Sequence, residues 1–366
     1  MVHGGLENKR QAPASGSSID LTNPADLLPQ GRFVKNSKRG QMKDSVLVSI
    51  VSFNGKAFLR RCLDSVLSQT YRPTEVCLLD NASEDGTADF VAQNFPTVKL
   101  IPSTVNLGFG GGHNVIIRQT QSTFVLVLNQ DAFLSATFLE ELLTAVHQHP
   151  EVGIAGGKLY SSRMAEPDGA VGDVIDMTWL DIEKKRRQVC YAHSQPEKGQ
   201  AAVPTFAFAM DGAAMLLRRT MLEEIQIDGE YYDEDFFAGK EDLDISWRAQ
   251  LCGWKCLYVP SAIGHHFRTF TPKDRRSEIS GVLRAGSVRN RYLLMLKNDL
   301  LKHFVRHFPH IAIYDLKILA YTLLYERSSM VGYKQALRLI PRALRKRRVI
   351  MRRKKVDDSY ILQWFR

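Results

Sequence analysis

Between residues 46 and 131 four short apolar runs alternate with three amphipathic stretches, and this alternation limits the folds open to the chain more than anything else in it. "VLVSIVSF" is followed by "AFLRRCLDSVLSQ", "EVCLLD" by "EDGTADFVAQNF", "VKLIP" by a Gly-rich turn and "HNVIIRQTQ", and the series reaches "FVLVLNQD". Runs of four to eight apolar residues without polar alternation suit strands buried on both faces, and helices between them supply the cover. The expected class is α/β, with a mostly parallel, mixed sheet. Ligands of such sheets gather at the carboxyl ends of the strands.

Those ends are where the polar residues fall. Ser52-Phe53-Asn54-Gly55 closes the first run, and the ring of Phe53 is placed to stack on a base. Asp80 closes the second, where a carboxylate can accept from a pyrimidine N–H, while Asp85 is expected to cap the next helix. "NLGFGGGHN", Asn106 to Asn114, allows close backbone approach but has the spacing of neither a dinucleotide fingerprint nor a phosphate-binding P-loop. Asn129-Gln130-Asp131 closes the fourth run. A carboxylate there is costly to desolvate unless a cation or ligand compensates it, and Mg²⁺ or Mn²⁺ shared with substrate phosphates is the arrangement nucleotide chemistry uses. Capping of a helix near Ser135 is the structural alternative.

After Pro150 the runs shorten to "GIAGGKLY", "VPTFAFAMD" and "AAMLLRR", interrupted by a charged insertion around Lys184 to Arg187, so antiparallel pairing is expected there. Glu241, Asp242 and Asp244 open a helix, where the dipole favours anions and where one carboxylate facing the sheet edge would serve as a general base. His265 and His266 follow the strand "KCLYVP" and are candidates to complete a metal shell.

Composition narrows the setting. Five scattered cysteines point to a reduced, cytoplasmic environment, and Cys252 and Cys256 read as packing residues. No apolar run reaches the ~20 residues of a membrane span. The net charge of +10 is concentrated: Lys334, Arg338, Arg342, Arg345, Lys346, Arg347, Arg348, Arg352, Arg353, Lys354 and Lys355 follow one another without an acid. Such a block suits an anionic surface, and with Trp364 and Phe365 beside it a peripheral contact at the inner face of the cytoplasmic membrane is one reading, a solvated basic helix the other. Nucleic acid is not expected as a partner, since no base-reading motif accompanies the charge.

"VSIVSFNG", "LLDNASEDGT", "NLGFGGGHN", "LNQD", "DGAAMLLRR" and "EDLDISWRAQLCGWKCLYVP" with a following His, in this order, resemble the inverting glycosyltransferases of family 2 with the GT-A, Rossmann-like fold, and among them bacterial rhamnosyltransferase-like enzymes of polysaccharide and cell-wall assembly. The likeness spans residues 46–270. It implies a catalytic domain over 44–270; outside it, residues 1–43, rich in Pro, Gly, Ser and charge, read as a disordered leader, and residues 271–366 as a helical basic extension. It further implies that Phe53, Asp80, Asn106, Gly108 and Asn129 hold the donor. Asp131 would be the metal-binding acid of an Asp-X-Asp motif whose first position is here Asn129, so the metal leans on His266. Asp242 would be the base, and Gly212, Glu241, Trp247 and Arg248 would lie on the acceptor side. The implied partners are a Mg or Mn cation, a dTDP- or UDP-linked sugar, and a glycan or polyprenyl-phosphate-linked acceptor. A nucleotidyltransferase and a non-catalytic nucleotide-sugar or anionic-surface binder on the same fold remain alternatives.

Overall fold

The computed structural model describes residues 44–162, 174–267 and 280–366. The expected leader, and the expected boundary at 270/271, lie outside the described residues. The first half runs β1 (Val46–Ser52), α1 (Lys56–Leu67), β2 (Glu75–Asn81), α2 (Thr87–Asn94), β3 (Lys99–Ser103), α3 (Gly108–Arg118), β4 (Phe124–Asn129), β5 (Ala132–Leu134) and α4 (Phe138–Gln148). There follow β6 (Val152–Ser161), β7 (Ile175–Met177), β8 (Trp179–Ile182), β9 (Gln188–Cys190), β10 (Thr205–Ala207), β11 (Ala209–Met210), β12 (Ala214–Arg218), α5 (Arg219–Ile225), α6 (Glu241–Leu251) and β13 (Lys255–His266). Four helices close the chain: α7 (Gly281–Asn298), α8 (Leu301–Tyr325), α9 (Met330–Arg353) and α10 (Asp358–Leu362).

The main sheet has the order β10-β13-β6-β12-β4-β1-β2-β3, with β5 and β7 attached at β13 and β6. Strands β4, β1, β2 and β3 are parallel neighbours, and β12 enters antiparallel between β4 and β6. Alternation along β1 explains the burial on both faces. Val46, Val48 and Ile50 pack with Leu59, Leu63 and Val66 of α1, while Leu47 packs with Ile116 and Ile117 of α3. Both faces being covered, the continuous apolar runs are what the site requires.

The register brings the strand ends together: Ser52 lies opposite Asp80, and Val51 opposite Asn129. The main-chain N–H of Asn129 donates to the carbonyl of Ala213 at 2.9 Å, which brings the turn before β12 to the same edge.

The helical region is not an appendage. Leu243, Trp247 and Leu251 of α6 share an apolar cluster with Leu293, Ile350, Trp364 and Phe365. Trp364 and Phe365, expected at a membrane interface, are therefore interior: Phe365 stands edge-on to Trp247, and the guanidinium of Arg186 lies 3.7 Å from its ring centre. Arg186, in the charged insertion, is itself buried and forks onto Asp299 at 2.8 and 3.2 Å. The basic block is likewise turned partly inward. Buried Lys346 donates to Asp233 at 2.5 Å, Glu230 at 2.7 Å and Asp235 at 3.1 Å. Arg342 pairs with Glu230 and Asp235, and Lys355 with Glu224. Lys297 joins the same core, bonded to Asp233 and 2.9 Å from Asp244. Part of the block thus answers neither a partner surface nor solvent: the acids paired with Lys346, Arg342 and Lys355 stand about a hundred residues earlier in the chain.

Candidate active site

On the β1–β2 side Asp80 is buried, with one carboxylate oxygen accepting from the Ser83 N–H at 3.3 Å, while Phe53, the residue after the end of β1, is 46% exposed. Asn81 ties the Gly-rich turn to this edge: its amide donates to Asn106 at 3.0 Å and to the Gly108 carbonyl at 3.2 Å, and accepts from the Leu107 N–H at 2.7 Å. Gly108 has φ +71°, and a Cβ there would sit 2.2 Å from the Phe237 carbonyl oxygen. Contact with the loop before α6 is by itself enough to require a glycine there. Asp85 takes its expected part at a helix start, accepting from Thr87 N–H and from the Lys56 N–H, the latter joining α1 to α2.

Gln130, between the two singled-out residues of its motif, locks the ends of β1 and β4. Its carbonyl oxygen accepts from Ser52 Oγ at 2.7 Å and from the Phe53 N–H at 2.9 Å. Asp131 caps no helix, since α4 starts only at Phe138. One of its carboxylate oxygens stands 3.3 Å from His266 Nε2, and the opposite ring nitrogen, Nδ1, is 2.8 Å from Asp176. Asn129 Nδ2 is 3.4 Å from the same Nε2. Burial alone would lower the basicity of His266, but hydrogen bonds and charge from Asp131 and Asp176 outweigh it and raise its pKa to about 10.

Asp176 has no counterpart among the sequence-based candidates. It lies in a stretch without periodicity, and only the pairing of β7 with β6 and of β6 with β13 carries it to His266. His265 points elsewhere, stacked on Phe133 with ring centres 5.3 Å apart.

Among the described residues no three His, Cys, Asp or Glu side chains form a cluster fit for a metal ion. Two do suit a shared one: a carboxylate at Asp131 and an imidazole whose far nitrogen is anchored by a carboxylate, the orientation metal-ligating histidines use. Phosphate oxygens of a ligand are the natural remaining donors for Mg²⁺ or Mn²⁺.

Asp211 and Gly212 form the turn before β12, and Gly212 brings it against Asp242: a Cβ at Gly212 would meet Asp242 Cβ at 3.5 Å. Asp242 accepts from the Leu243 N–H at 2.7 Å and lines a cavity of ≈ 300 Å³ with Gln188, Lys240 and Ser287. Burial, then the charges of Asp211 and Glu241, push its pKa up to about 8. Glu241 is raised too, chiefly by burial, and its Oε2 is buried without a hydrogen-bond partner. The loop that presents both is held by Asn290 of α7, whose amide donates to the carbonyls of Phe236, Ala238 and Gly239 at 2.9, 3.0 and 2.6 Å. Asn290, in α7, is not among the sequence-based candidates.

Trp247 and Arg248 do not reach this space. Trp247 is fully buried against Phe208, and Arg248 pairs with Asp244 at 2.9 Å and donates to the carbonyls of Ile225 and Tyr231. Trp247 is five positions on from Asp242, a turn of roughly 140° around a helix, so the two face opposite ways. Neither side chain lines the cavity of Asp242, and both are held by interior contacts.

The sequence profile described as "Glycosyltransferase like family 2" matches residues 44–285. An N-acetylglucosaminyl-diphospho-decaprenol L-rhamnosyltransferase of Mycobacterium tuberculosis is 29% identical over 261 residues, covering 65% of this chain and 81% of its own length. A poly-beta-1,6-N-acetyl-D-glucosamine synthase of Staphylococcus epidermidis is 22% identical over 237 residues, covering 64% of this chain and 53% of the relative. Among solved structures, that of GalNAc-T7 with UDP, GalNAc and Mn²⁺ superposes with a TM-score of 0.51 at 16% identity, over 69% of this chain and 48% of that one. The alternating sheet, the polar strand ends and a profile match across most of the chain agree: this protein belongs to glycosyltransferase family 2 and is a glycosyltransferase of the GT-A fold.

Proposed function

We propose that the protein transfers a sugar, rhamnose being the first candidate, from a dTDP- or UDP-linked donor to a hydroxyl of a lipid-linked glycan, with inversion and with a divalent cation. The observation that carries this reading is Asp242, a carboxylate of raised basicity at the sheet edge that also holds Asp131 and Asp80. The sugar and acceptor rest on the likeness to the mycobacterial rhamnosyltransferase. Phe53, Asp80, Asn106 and Gly108 would hold the nucleoside, with Asn129 at the diphosphate. When bound by Asp131 and His266, the cation supplies positive charge against that building on the leaving diphosphate. Asp242 takes the proton of the acceptor hydroxyl, and the oxygen attacks the anomeric carbon from the face opposite the diphosphate. The bond to the diphosphate breaks in the same step, its electron pair leaving with the nucleotide, so one displacement inverts the centre.

The test is release of nucleoside diphosphate from a panel of dTDP-, UDP- and GDP-sugars with Mn²⁺ or Mg²⁺. Metal-dependent release from one donor is expected, lowered at least about 10²-fold in Asp131→Ala. Silence across the panel, with no donor bound in calorimetry, would overturn the proposal.

A peripheral membrane contact is part of the proposal, with a different carrier from Trp364 and Phe365. No helix among the described residues is long and apolar enough to cross a membrane. On α8, however, Leu301, Val305, Phe308 and Leu316 form one stripe and are 69, 63, 53 and 65% exposed, with Lys302, Arg306 and Lys317 on the same helix. An apolar stripe with flanking cations suits an interface. Flotation with anionic vesicles at low salt is expected for the wild type and not for Val305→Glu/Phe308→Glu; a wild type that stays at the bottom removes the contact.

A further inference from the structure

Three spaces with shared walls lead away from Asp242. The first is its own cavity of ≈ 300 Å³. The second, ≈ 280 Å³, shares Gln188, Lys240 and Ser287 with the first and lies between the turn from β8 to β9 and helices α7 and α8. Its walls carry Arg186, Arg187, Lys240, Arg291 and Lys317, and no carboxylate among the described lining residues. Two of these cations are committed, Arg186 to Asp299 and Arg291 to Asp315. Arg187 has only a loose contact with Glu183 at 3.9 Å, and for Lys240 and Lys317 no ion pair is formed among the described residues. The third space, ≈ 680 Å³, meets the second at Tyr292 and is walled mainly by apolar side chains of α7, α8 and α9, among them Leu296, Phe304, Leu337 and Ile340. It also reaches Leu301, on the exposed stripe of α8.

The proposed base, a cleft lined by cations without a carboxylate among its described lining residues, and an apolar slot opening on an apolar surface stand in that order. A free glycan would leave the last two unused. We infer that the cationic cleft between Arg187 and Lys317 holds the diphosphate of a lipid-linked acceptor, and that the slot beyond Tyr292 takes the first part of its hydrocarbon chain. This rests on the reading of Asp242 as the acceptor-side base. Arginine and lysine suit phosphate oxygens, the former by paired donors and the latter as a point charge. The volume of the slot falls in the range of small-molecule sites. With the diphosphate fixed, the sugar attached to it is confined to the cavity of Asp242, which makes the distance between phosphate and reacting hydroxyl a specificity element.

The test uses the full chain and farnesyl diphosphate as probe, in equilibrium dialysis with Mn²⁺ and excess dTDP and UDP to fill the donor site. Binding by the wild type is expected, at least tenfold weaker in Arg187→Glu/Lys317→Glu and at least tenfold weaker for farnesol. Leu337→Glu should weaken farnesyl diphosphate and leave inorganic pyrophosphate unchanged. No binding by the wild type, equal binding by the charge-reversed variant, or full displacement by phosphatidylglycerol vesicles would overturn the assignment, the last by giving the cleft to bulk anionic lipid. Arg187 and Lys317 sit at the surface, so an unchanged melting curve separates lost binding from lost fold. Asp242→Asn should keep farnesyl diphosphate binding; turnover surviving in that variant would end the base assignment without touching the cleft, so the two failures are read separately.

Discussion

Asp242→Asn is expected to lower transfer by about 10² to 10⁴-fold while nucleotide binding stays within about twofold, because a positioned base contributes that much and the donor residues lie on other strands. The variant keeps the shape of the side chain and its contact with the Leu243 N–H, so what is lost is the capacity to take a proton. The pH dependence follows from the raised pKa of about 8, caused by burial and by the charges of Asp211 and Glu241. A base must be ionised, so kcat/KM of the wild type rises as the pH climbs toward 8 and flattens above. Asp211→Asn removes one of the two anions and should move that rise to lower pH. Stability runs the other way. The carboxyl is neutral in the folded chain where it would be ionised in the unfolded one, so a penalty grows from the ordinary Asp value of 3.8 upward and is complete above about 8. At pH 8 Asp242→Asn should therefore be more stable than the wild type by about 1–2 kcal/mol and melt at a higher temperature, the usual sign where an active site holds an ill-matched charge. Near-normal turnover in the variant would remove Asp242 from the base role; an unaltered melting point would show that burial of its charge costs nothing.

Asp233→Ala should cost about 3–5 kcal/mol of folding stability, since it takes the shared anion from two buried ammonium groups, Lys297 and Lys346. Urea unfolding followed by circular dichroism measures it. Burial would raise the pKa of Asp233, but the two lysines outweigh this and hold it well below the usual carboxylate range. The group is thus a depressed one: its contribution is full above the ordinary value of 3.8 and is lost as the pH falls toward its folded value. The gap between wild type and variant should be constant from pH 5 to 8 and close only in stronger acid. A gap under about 1 kcal/mol at pH 7 would mean that Glu230, Asp235 and Asp244 compensate the lysines without Asp233.

The fold and half of the site were legible because they are local. The strand runs carry their own period and their polar ends, and register then puts Ser52, Asp80 and Asn129 on one edge. What escaped is what only tertiary pairing creates. Asp176 reaches His266 through two strand pairings, and Asn290 reaches the loop before α6 from α7. Gln130 was hidden between two candidates, although alternation along a strand end predicts that its side chain turns opposite to theirs. Trp247 and Arg248 were placed near the site by the family likeness, and in the fold helical spacing turns them away from Asp242. Trp364 and Phe365 were read as membrane-facing, but they follow α10 and are buried, Phe365 bridged to Ile182 in the interior. The basic block was read without its acids, because Glu230, Asp233 and Asp235 sit in a stretch that shows no period of its own.

The lysine at 346 has an evolutionary corollary. A segment anchored by a buried cation to three acids of another element cannot be traded as a cassette: a recombinant joined at the end of the profile match, residue 285, would pair one parent's loop with the other's helix and leave charges stranded on both. Replacements at the junction between α9 and the loop at residues 230–235 are expected to be tolerated only in charge-complementary pairs, and chimeras should carry that loop and α9 from the same parent.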